Sequence, residues 1–437
     1  MRFTTTEIAR AVDGTVIGGE AVVRNVSIDS RTITRGELFV AITGERDGHD
    51  FIPDAVAAGA AAYVAESGFP RASVPVVEVD FTEKALSDLG AYARTRLPDP
   101  VIGITGSVGK TTVKDLTAAA LRPLGRVHAS LRSFNNELGV PLTLANAPDE
   151  VDAVVVEMGA RGRAHIADLC AVARPTIGVV TAVALAHAEM FGTIEDVAAA
   201  KGELIEALPE SGTAVLNGDQ SLVAAMASRT EATVITFGID AEGLDVVASK
   251  IEVDDELRPS FRLHSPWGDT NVRLAARGGH QVMNALAAAA AAVAAGVVLE
   301  DAVSGLERAE LSAWRMDLQR TSSGALVLND AYNANPTSME AALRALASLP
   351  ARRHVAVVGI MAELGPSGPA EHRRLAGLAA KLGIELIAVQ AADYGATTVD
   401  DLDGALGALG DLCEGDAVLV KGSRVAGLER LAATLLS

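Results

Sequence analysis

Short runs of valine and isoleucine alternate with alanine-rich stretches along most of this 437-residue chain. Apolar runs of this length are typical of strands buried on both faces, and the alanine-rich stretches fit helices that cover those faces. The alternation therefore predicts an α/β fold in which a parallel sheet carries helices on both sides. In the middle of the chain, the predicted strand and helix pairs are 101–104 with 113–123, 153–156 with 163–172, and 177–183 with 194–207.

The same pattern divides the chain into segments, and we predict three domains covering residues 1–97, 98–310 and 311–437. The first is small, with a strand candidate at 38–42 and an alanine-rich helix near 53–62. A linker is expected at residues 98–100, where two prolines flank an aspartate. The last domain is predicted to be a Rossmann-like, doubly wound sheet with strands at 325–328, 354–359, 386–389 and 417–420.

Composition restricts the partners of the chain. The longest apolar run, 285–299, is mostly alanine and too short to span a bilayer, so it predicts a buried helix and no membrane insertion. A net charge of −19 disfavours nucleic acids and anionic membranes as partners. The only cysteines, Cys170 and Cys413, lie far apart, and no apolar signal region follows Met1. These features favour a reducing, cytoplasmic location over a disulfide scaffold.

A glycine-rich turn after the strand candidate 101–104 is the most informative motif of the chain. Its glycines are Gly103, Gly106 and Gly109, whereas a strict P-loop would have a glycine where Ile104 stands. The turn runs into a helix-compatible segment, and a helix N-terminus preceded by free backbone N–H groups favours phosphate. We therefore predict a nucleotide-phosphate site; the alternative is a glycine turn that only packs.

Each polar group of this turn has a predicted role. Lys110 is expected to reach the β- and γ-phosphates, and the hydroxyl of Thr111 to ligate Mg²⁺. The predicted nucleotide-binding residues of the turn are Gly106, Ser107, Gly109, Lys110, Thr111 and Thr112.

Polar residues follow two further strand candidates. Glu157 ends the run 153–156, and because ligands gather at the carboxyl ends of parallel strands, it is a candidate Mg²⁺ ligand opposite Thr111. The alternative is a solvated strand end. His187 lies beyond the run 177–183 and is expected to face the same crevice, although a lone histidine is more often structural.

Three other features fit either a functional or an ordinary structural role. Lys201 lies in an alanine-rich helix, where an exposed lysine is the default. Asn284 sits in the first turns of another helix, where it could hydrogen-bond a base edge or cap the helix. The polar loop 329–336 follows a strand and precedes a helix, which fits either ligand binding or ordinary turn and cap chemistry.

Taken together, these motifs resemble the Mur ligases over nearly the whole chain. The loop 103–112 is similar to the ATP loop of that family, including its glycine spacing. The segments 135–143, 330–336 and 421–424 are typical of the family member that attaches a dipeptide. Near the N-terminus, three segments are similar to its UDP-sugar-binding domain: 29–31, 36–40 and 47–51.

The resemblance implies a three-domain fold and a reaction. The N-terminal domain would bind the UDP-muramoyl peptide, the central P-loop domain ATP, and the C-terminal Rossmann-like domain would complete the ligase. The implied activity is ATP-dependent amide-bond formation in peptidoglycan precursor synthesis, through an acyl phosphate. The implied partners are UDP-N-acetylmuramoyl-tripeptide and D-alanyl-D-alanine, with ATP and two Mg²⁺ ions, in a cytoplasmic monomer.

The resemblance also implies roles for single residues. Thr111 and Glu157 would hold one Mg²⁺, and His187 and Lys201 a second, with Lys201 carbamylated by CO₂. These four and Lys110 make up the implied catalytic and metal-binding set. Further implied nucleotide-site residues are Asn284, Arg315, Asp330, Tyr332 and Asn335. The implied substrate-binding residues are Ser30, Arg31, His49, Asn135, Asn136, Lys421 and Ser423.

Two positions depart from the family pattern, and other classes of protein remain as alternatives. Ile360 stands where the family usually has aspartate, and Gln281 where asparagine is common.

Within the ligase class, the alternatives are the sister ligase that adds the third amino acid and a folylpolyglutamate-type synthetase. The segment 135–143 and the loop 330–336 argue against both. Outside the class, a P-loop nucleotide switch would hydrolyse ATP under the control of a protein partner and would need no amine acceptor.

Overall fold

Three successive segments of the chain each build a main sheet in the computed structural model, which describes residues 1–69, 71–184 and 191–437. The sheets have five, nine and six strands in chain order, and a two-stranded ribbon accompanies the first. Parallel pairs dominate all three main sheets. The predicted α/β class with parallel-rich sheets is therefore confirmed.

The N-terminal sheet has the order β2-β7-β6-β5-β4, and only the β2–β7 pair in it is antiparallel. The predicted helix near 53–62 is confirmed but shorter, because Gly59 adopts a left-handed φ of 113° and a strand starts three residues later. The strands of this region are β1 (Arg2–Thr4), β2 (Thr15–Ile17), β3 (Val22–Arg24), β4 (Val26–Ser27), β5 (Leu38–Val40), β6 (Ala62–Glu66) and β7 (Val76–Val79). Its helices are Thr5–Ala11, the 3₁₀ helix Gly48–Phe51, Ile52–Ala58 and Thr82–Arg94.

The central sheet has the order β16-β15-β14-β13-β12-β11-β8-β10-β9, and its strands β8 to β14 run parallel. Its strands are β8 (Val101–Thr105), β9 (Val127–Ala129), β10 (Ala153–Glu157), β11 (Ile177–Val180), β12 (Thr213–Asn217), β13 (Thr233–Gly238), β14 (Val246–Val253), β15 (Pro259–Ser265) and β16 (Gly268–Arg273). Its helices are Lys110–Ala120, Gly139–Ala145, His165–Ala173, Ile194–Glu206, Ser221–Ala224, Gln281–Ala294 and Leu299–Glu307.

The strands predicted in this region are confirmed, and every residue of β8 and β10 is buried. The antiparallel pairs β14–β15 and β15–β16 were not predicted from the sequence. Their inward and outward residues alternate, so they lack the continuous apolar run that identifies a doubly buried strand.

The C-terminal sheet has the order β17-β18-β22-β19-β20-β21 and is parallel except for the β17–β18 pair. Its four predicted strands are confirmed within two residues. The strands are β17 (Asp317–Arg320), β18 (Leu326–Asn329), β19 (Arg353–Val358), β20 (Glu385–Val389), β21 (Thr397–Val399) and β22 (Asp416–Lys421). The helices are Pro336–Ser348, Gly368–Lys381, Leu402–Leu409 and Glu429–Leu436.

One hydrophobic core joins the N-terminal region to a face of the central sheet. Buried side chains of β5 and β6 belong to the same cluster as Val154 and Val156 of β10. The contact is close at the helix Thr82–Arg94, where a Cβ on Gly90 would lie 2.6 Å from the Cα of Pro141. The N-terminal region is therefore packed on the central one through helices, with Thr82–Arg94 against Gly139–Ala145.

The other face of the central sheet is covered by an alanine helix. The apolar run 285–299 was predicted to be one buried helix; the helix Gln281–Ala294 is buried, but it ends before Gly296, and the next helix starts at Leu299. The small side chains of the helix Gln281–Ala294 allow close packing against the helix Lys110–Ala120, which follows the glycine-rich turn. No helix in the described part of the chain is long and apolar enough to cross a membrane.

A pair of glycine-to-alanine variants tests this packing. A Cβ on Gly305 would lie 2.4 Å from the carbonyl oxygen of Ala119, so Gly305→Ala should destabilise the protein by about 1–3 kcal/mol through overpacking. Gly377 lies in the interior of the helix Gly368–Lys381 with no heavy atom within 4 Å of its Cβ position. Gly377→Ala should therefore stabilise by about 0.4–1 kcal/mol. Denaturant unfolding measures both, and two changes of the same sign would contradict this account of the packing.

Candidate active site

The glycine-rich turn lies at the carboxyl end of β8 and is fixed by the strand beside it. The hydroxyl of Ser107 donates to the carbonyl oxygen of Ala184 (2.9 Å) and accepts from the backbone N–H of the same residue (3.0 Å). The hydroxyl of Thr181 donates to the carbonyl of Val108 at 2.6 Å. A Cβ on Gly106 would lie 1.9 Å from that hydroxyl oxygen, so the close approach requires glycine.

The helix Lys110–Ala120 begins directly after Gly109, whose φ of 83° turns the chain into the helix. A Cβ on Gly109 would lie 2.6 Å from Oδ1 of Asn284, so the amide of Asn284 rests against the turn. That amide donates to Oε1 of Gln281 at 2.7 Å. His280 occupies the N-cap of the helix, so Asn284 does not cap it and instead faces the glycine turn.

A chain of hydrogen bonds joins Thr111 to the end of β10. The hydroxyl of Thr111 donates to Oε2 of Glu157 at 2.8 Å, and the amide of Asn135 donates to Oε1 at 2.8 Å. Nη2 of Arg315 donates to the Thr111 hydroxyl at 2.9 Å. Glu157 is 1% exposed, so the solvated strand end considered above does not describe it.

Two lysines lie near each other here, Lys110 at the turn and Lys201 on the helix Ile194–Glu206. Nζ of Lys110 donates to the carbonyl of Gly106 at 2.7 Å. Burial lowers the pKa of Lys110, and the carboxylate of Glu157 partly offsets this effect. Lys201 is 3% exposed, and burial, together with the nearby charge of Lys110, holds its pKa well below the usual value. Lys201 is therefore not the exposed helix lysine that is the default.

The C-terminal sheet supplies the opposite wall at the ends of β18 and β22. Nζ of Lys421 lies 2.5 Å from Oδ2 of Asp330 and 2.9 Å from the carbonyl oxygen of Asn333. Burial lowers the pKa of Lys421, and Asp330 opposes that shift. The other carboxylate oxygen of Asp330 accepts from the backbone N–H of Met316 at 3.1 Å.

Arg315 and Tyr332 connect the two walls. The guanidinium of Arg315 lies 4.1 Å from the ring centroid of Tyr332, whose hydroxyl contacts the hydroxyl of Ser133 on the central side. Nε of Arg315 is buried with no hydrogen-bond partner within residues 1–69, 71–184 and 191–437. A buried donor of this kind favours an anionic ligand at the junction.

A cavity of about 450 Å³ lies between these walls. It brings together most of the predicted site residues, which line it from both sheets. Those residues are Ser107, Gly109, Lys110, Thr111, Thr112, Asn135, Asn136, Glu157, Lys201, Asn284, Arg315, Asp330, Tyr332, Asn335 and Lys421. His187 lies outside the described residues.

Asn335 and Ser423 have structural partners. The side chain of Asn335 accepts from the backbone N–H of Ser338 at 2.9 Å and caps the helix Pro336–Ser348. The hydroxyl of Ser423 accepts from the backbone N–H of Ala362 at 2.8 Å, and Ser423 does not line the cavity. Their ligand-binding roles stay predictions.

The N-terminal candidates Ser30, Arg31 and His49 do not line the cavity. Arg31 is exposed and forms an ion pair with Asp29 at 2.7 Å. Both ring nitrogens of His49 are engaged, with Asp47 at 2.6 Å and with the backbone N–H of Glu66 at 2.9 Å. This geometry favours a structural role for His49, and its substrate contact stays a prediction.

Sequence reasoning missed several residues of this region. Lys114, one helical turn after Lys110, is buried and donates to the carbonyls of Ser130 and Arg132 at 2.9 and 3.0 Å, which fixes the loop that carries Asn135. The only signal in the sequence was a lysine on an apolar helix face. The cavity-lining residues that were not predicted include Arg161, His165, His280 and Glu363.

The fold and the site define a P-loop type of nucleotide-binding α/β protein. A glycine-rich loop lies at a strand end with a buried carboxylate beside it, and a Rossmann-like sheet faces both. The sequence matches three domain families in chain order. Residues 22–94 match the Mur ligase family catalytic domain, 104–292 the Mur ligase middle domain, and 314–424 the Mur ligase glutamate ligase domain. The chain belongs to the Mur ligase family.

Several sequence relatives carry the same name and match most or all of this chain. The UDP-N-acetylmuramoyl-tripeptide--D-alanyl-D-alanine ligase of Mycobacterium bovis is 40% identical over 100% of this chain and 98% of its own length. The Escherichia coli enzyme of the same name is 36% identical over 88% of this chain and 85% of its own.

Solved structures agree with the sequence relatives. The crystal structure of MurF from Acinetobacter baumannii superposes with a TM-score of 0.89 at 32% identity and covers 100% of this chain and 99% of its own. MurF ligase from Thermotoga maritima in complex with ADP has a TM-score of 0.83 at 28% identity, over 94% and 97%. A diaminopimelate ligase and folylpolyglutamate synthases share the fold at 18–19% identity. The predicted family is therefore confirmed.

Replacement of Lys110 tests the role of the glycine turn. Lys110→Ala should lower the turnover of ATP at least about a hundredfold, because it removes a preorganised cation at the predicted phosphate site. The fold should survive, since the variant removes a desolvated charge rather than a core side chain. Lys381→Ala, at an exposed helix end, is the matched control and should keep full activity. Near-normal turnover in Lys110→Ala, measured by phosphate release, would contradict the assignment.

Proposed function

We propose that this protein is an ATP-dependent ligase that joins D-alanyl-D-alanine to UDP-N-acetylmuramoyl-tripeptide, in the synthesis of peptidoglycan precursors. The full-length similarity to ligases of that name supports the substrate pair. The observation that carries the proposal is the cavity between the glycine turn and the strand ends of the C-terminal sheet. It is lined by groups from both sheets that suit a triphosphate and a carboxylate.

The reaction must bring two anions together, the triphosphate of ATP and the terminal carboxylate of the tripeptide. We propose that Lys110, Arg315 and the N-terminus of the helix Lys110–Ala120 lower this repulsion. The buried Nε of Arg315, which lacks a hydrogen-bond partner among the described residues, supports its role as an anion donor. The carboxylate then attacks the γ-phosphorus to form an acyl phosphate and ADP.

The end of β10 fits a Mg²⁺ ion. Thr111 and Glu157 present a hydroxyl and a carboxylate oxygen 2.8 Å apart, and hard oxygen ligands of this kind suit Mg²⁺ bound together with substrate phosphates. When bound, the ion would neutralise charge on the transferring phosphoryl group. Asn135 orients the Glu157 carboxylate through its other oxygen. No cluster of three or more histidine, cysteine, aspartate or glutamate ligands occurs within residues 1–69, 71–184 and 191–437.

We also propose that Lys201 is carbamylated and serves a second Mg²⁺ with His187. The burial of Lys201 and its low pKa support this proposal, because only the neutral amine adds to CO₂. The carbamate would then place an anion beside Lys110 in place of a neutral amine.

The domain roles complete the proposal. The segment 1–97 would hold the UDP-sugar end of the substrate through Ser30, Arg31 and His49, and 98–310 would bind ATP. The segment 311–437 would close over both, with Asp330, Tyr332 and Lys421 at the junction. The exposed and free thiol of Cys413 supports a cytoplasmic location. The monomeric state stays a prediction.

Phosphate release in the presence of ATP, Mg²⁺ and UDP-N-acetylmuramoyl-tripeptide tests the function directly. Sustained release should require D-alanyl-D-alanine, because attack of its amine is the step that displaces phosphate from the acyl phosphate. Mass spectrometry should then find the pentapeptide product. Single amino acids should not replace the dipeptide.

Release that is indifferent to D-alanyl-D-alanine would contradict the proposal. It would indicate a sister ligase or a nucleotide switch, and a screen of amines would separate these two. The Lys110→Ala variant controls for contaminating ATPase activity in either case.

A further inference from the structure

A short loop at the carboxyl end of β19 carries a carboxylate into the cavity. The loop runs from Ile360 to Leu364, between buried Val358 and the 3₁₀ helix Gly365–Ser367. Met361 and Leu364 are buried, whereas Glu363 is exposed and lines the cavity. The two apolar residues therefore anchor the loop, and the turn between them directs Glu363 towards the ligand space.

The backbone of Glu363 is in an unfavourable conformation. Its φ is 66°, in the left-handed region that favours glycine, although glycines stand close by at 359 and 365. A glycine at 363 would satisfy the backbone at no steric cost. Strained residues of this kind cluster at functional sites, so the side chain needs an explanation other than the turn.

The loop is held in place by hydrogen bonds to residues of the C-terminal segment that lie outside its strands. The backbone N–H of Met361 donates to Nε2 of His372 at 3.0 Å, and that of Ala362 donates to the hydroxyl of Ser423 at 2.8 Å. The backbone N–H of Ser423 donates to the carbonyl of Ile360 at 2.9 Å. The hydroxyl of Tyr394 donates to the carbonyl of Gly359 at 3.3 Å. Glu363 is thus presented at a fixed position.

Glu363 lies on the C-terminal wall of the cavity, whose other wall carries the phosphate-binding turn. Its charge is close enough to raise the pKa of Lys110, although burial of Lys110 dominates and the net shift is downward. The other carboxylates of the described cavity lining, Glu157 and Asp330, are buried. Among the described residues that line the cavity, Glu363 is the exposed carboxylate, so an incoming molecule can reach it.

We propose that Glu363 binds the ammonium group of the incoming dipeptide and accepts the proton that this group must lose before it attacks the acyl phosphate. The inference rests on the proposed ligase function and adds a residue to it. An α-amino group has a pKa near 8, so most of the dipeptide arrives as the ammonium at neutral pH. A carboxylate that faces the phosphate turn can both orient this cation and take up its proton.

The step balances in bonds and protons. Glu363 takes one proton from the ammonium, and the nitrogen lone pair attacks the acyl carbon. The C–N bond forms as the bond between the acyl carbon and the phosphate oxygen breaks. The second nitrogen proton leaves with the phosphate as HPO₄²⁻. The proton on Glu363 passes to water when the products leave, and the amide is complete.

The test separates acyl-phosphate formation from acyl transfer. Hydroxylamine is neutral at pH 7 and traps acyl phosphates as hydroxamates without the help of a base. Glu363→Gln should form hydroxamate from ATP and the UDP-tripeptide within about threefold of the unchanged protein. The same variant should make pentapeptide from D-alanyl-D-alanine at least about a hundredfold more slowly. Its kcat/KM for the dipeptide should rise about tenfold per pH unit up to pH 8, as the free amine fraction grows.

Two variants control the experiment. Glu363→Gly relieves the left-handed φ, so its midpoint of thermal unfolding should not fall, while pentapeptide synthesis should be lost as in Glu363→Gln. Glu414→Gln alters an exposed carboxylate of the same domain outside the cavity and should leave both reactions unchanged.

Equal losses of hydroxamate and pentapeptide in Glu363→Gln would overturn the inference, because Glu363 would then act on phosphoryl transfer through Lys110. Unchanged pentapeptide synthesis would overturn it as well. If the unchanged protein forms no pentapeptide at all, the proposed function itself fails, and this result is distinguishable from either of the others.

Discussion

Charged groups buried where the ends of two parallel sheets meet are the constraint on which this structure depends. A desolvated ammonium or carboxylate is costly unless an opposite charge or a hydrogen bond compensates it. Glu157 meets this requirement through Thr111 and Asn135, and Lys421 through Asp330. Lys110 and Lys201 instead lie near each other with lowered pKa values. Lys110 and Arg315 concentrate positive charge in the cavity of a chain whose net charge is −19, and this prepares the cavity for anionic ligands.

The packing of the chain explains how this charge is held in place. The N-terminal and central sheets share a core, and the alanine helix fixes the helix that follows the glycine turn. The C-terminal sheet reaches the same cavity through Arg315 and Tyr332, which contact Thr111 and Ser133. A reaction between two anions and an amine needs groups of both walls at once, so the relative position of the two sheets decides the chemistry.

The sequence was sufficient to predict the features that have a local signal. Buried strands appear in the sequence as Val/Ile runs, and the glycine turn and Glu157 stand at the ends of such runs. Because ligands gather at the carboxyl ends of parallel strands, both could be placed in one crevice. The burial of Lys201 could not be predicted, because it depends on how the helix Ile194–Glu206 packs. Glu363 follows the predicted strand 354–359, and the same rule could have identified it, but its left-handed φ appears only in three dimensions.

Transfer of oxygen between the substrates is the most direct test of the account. UDP-N-acetylmuramoyl-tripeptide with ¹⁸O in both oxygens of its terminal carboxylate should deliver one ¹⁸O to each phosphate released in the presence of ATP and D-alanyl-D-alanine. The attacking carboxylate oxygen stays with phosphorus when the amine displaces it. Mass spectrometry of the phosphate reads this out. Phosphate without ¹⁸O, or label found in AMP, would contradict an acyl phosphate formed in this cavity.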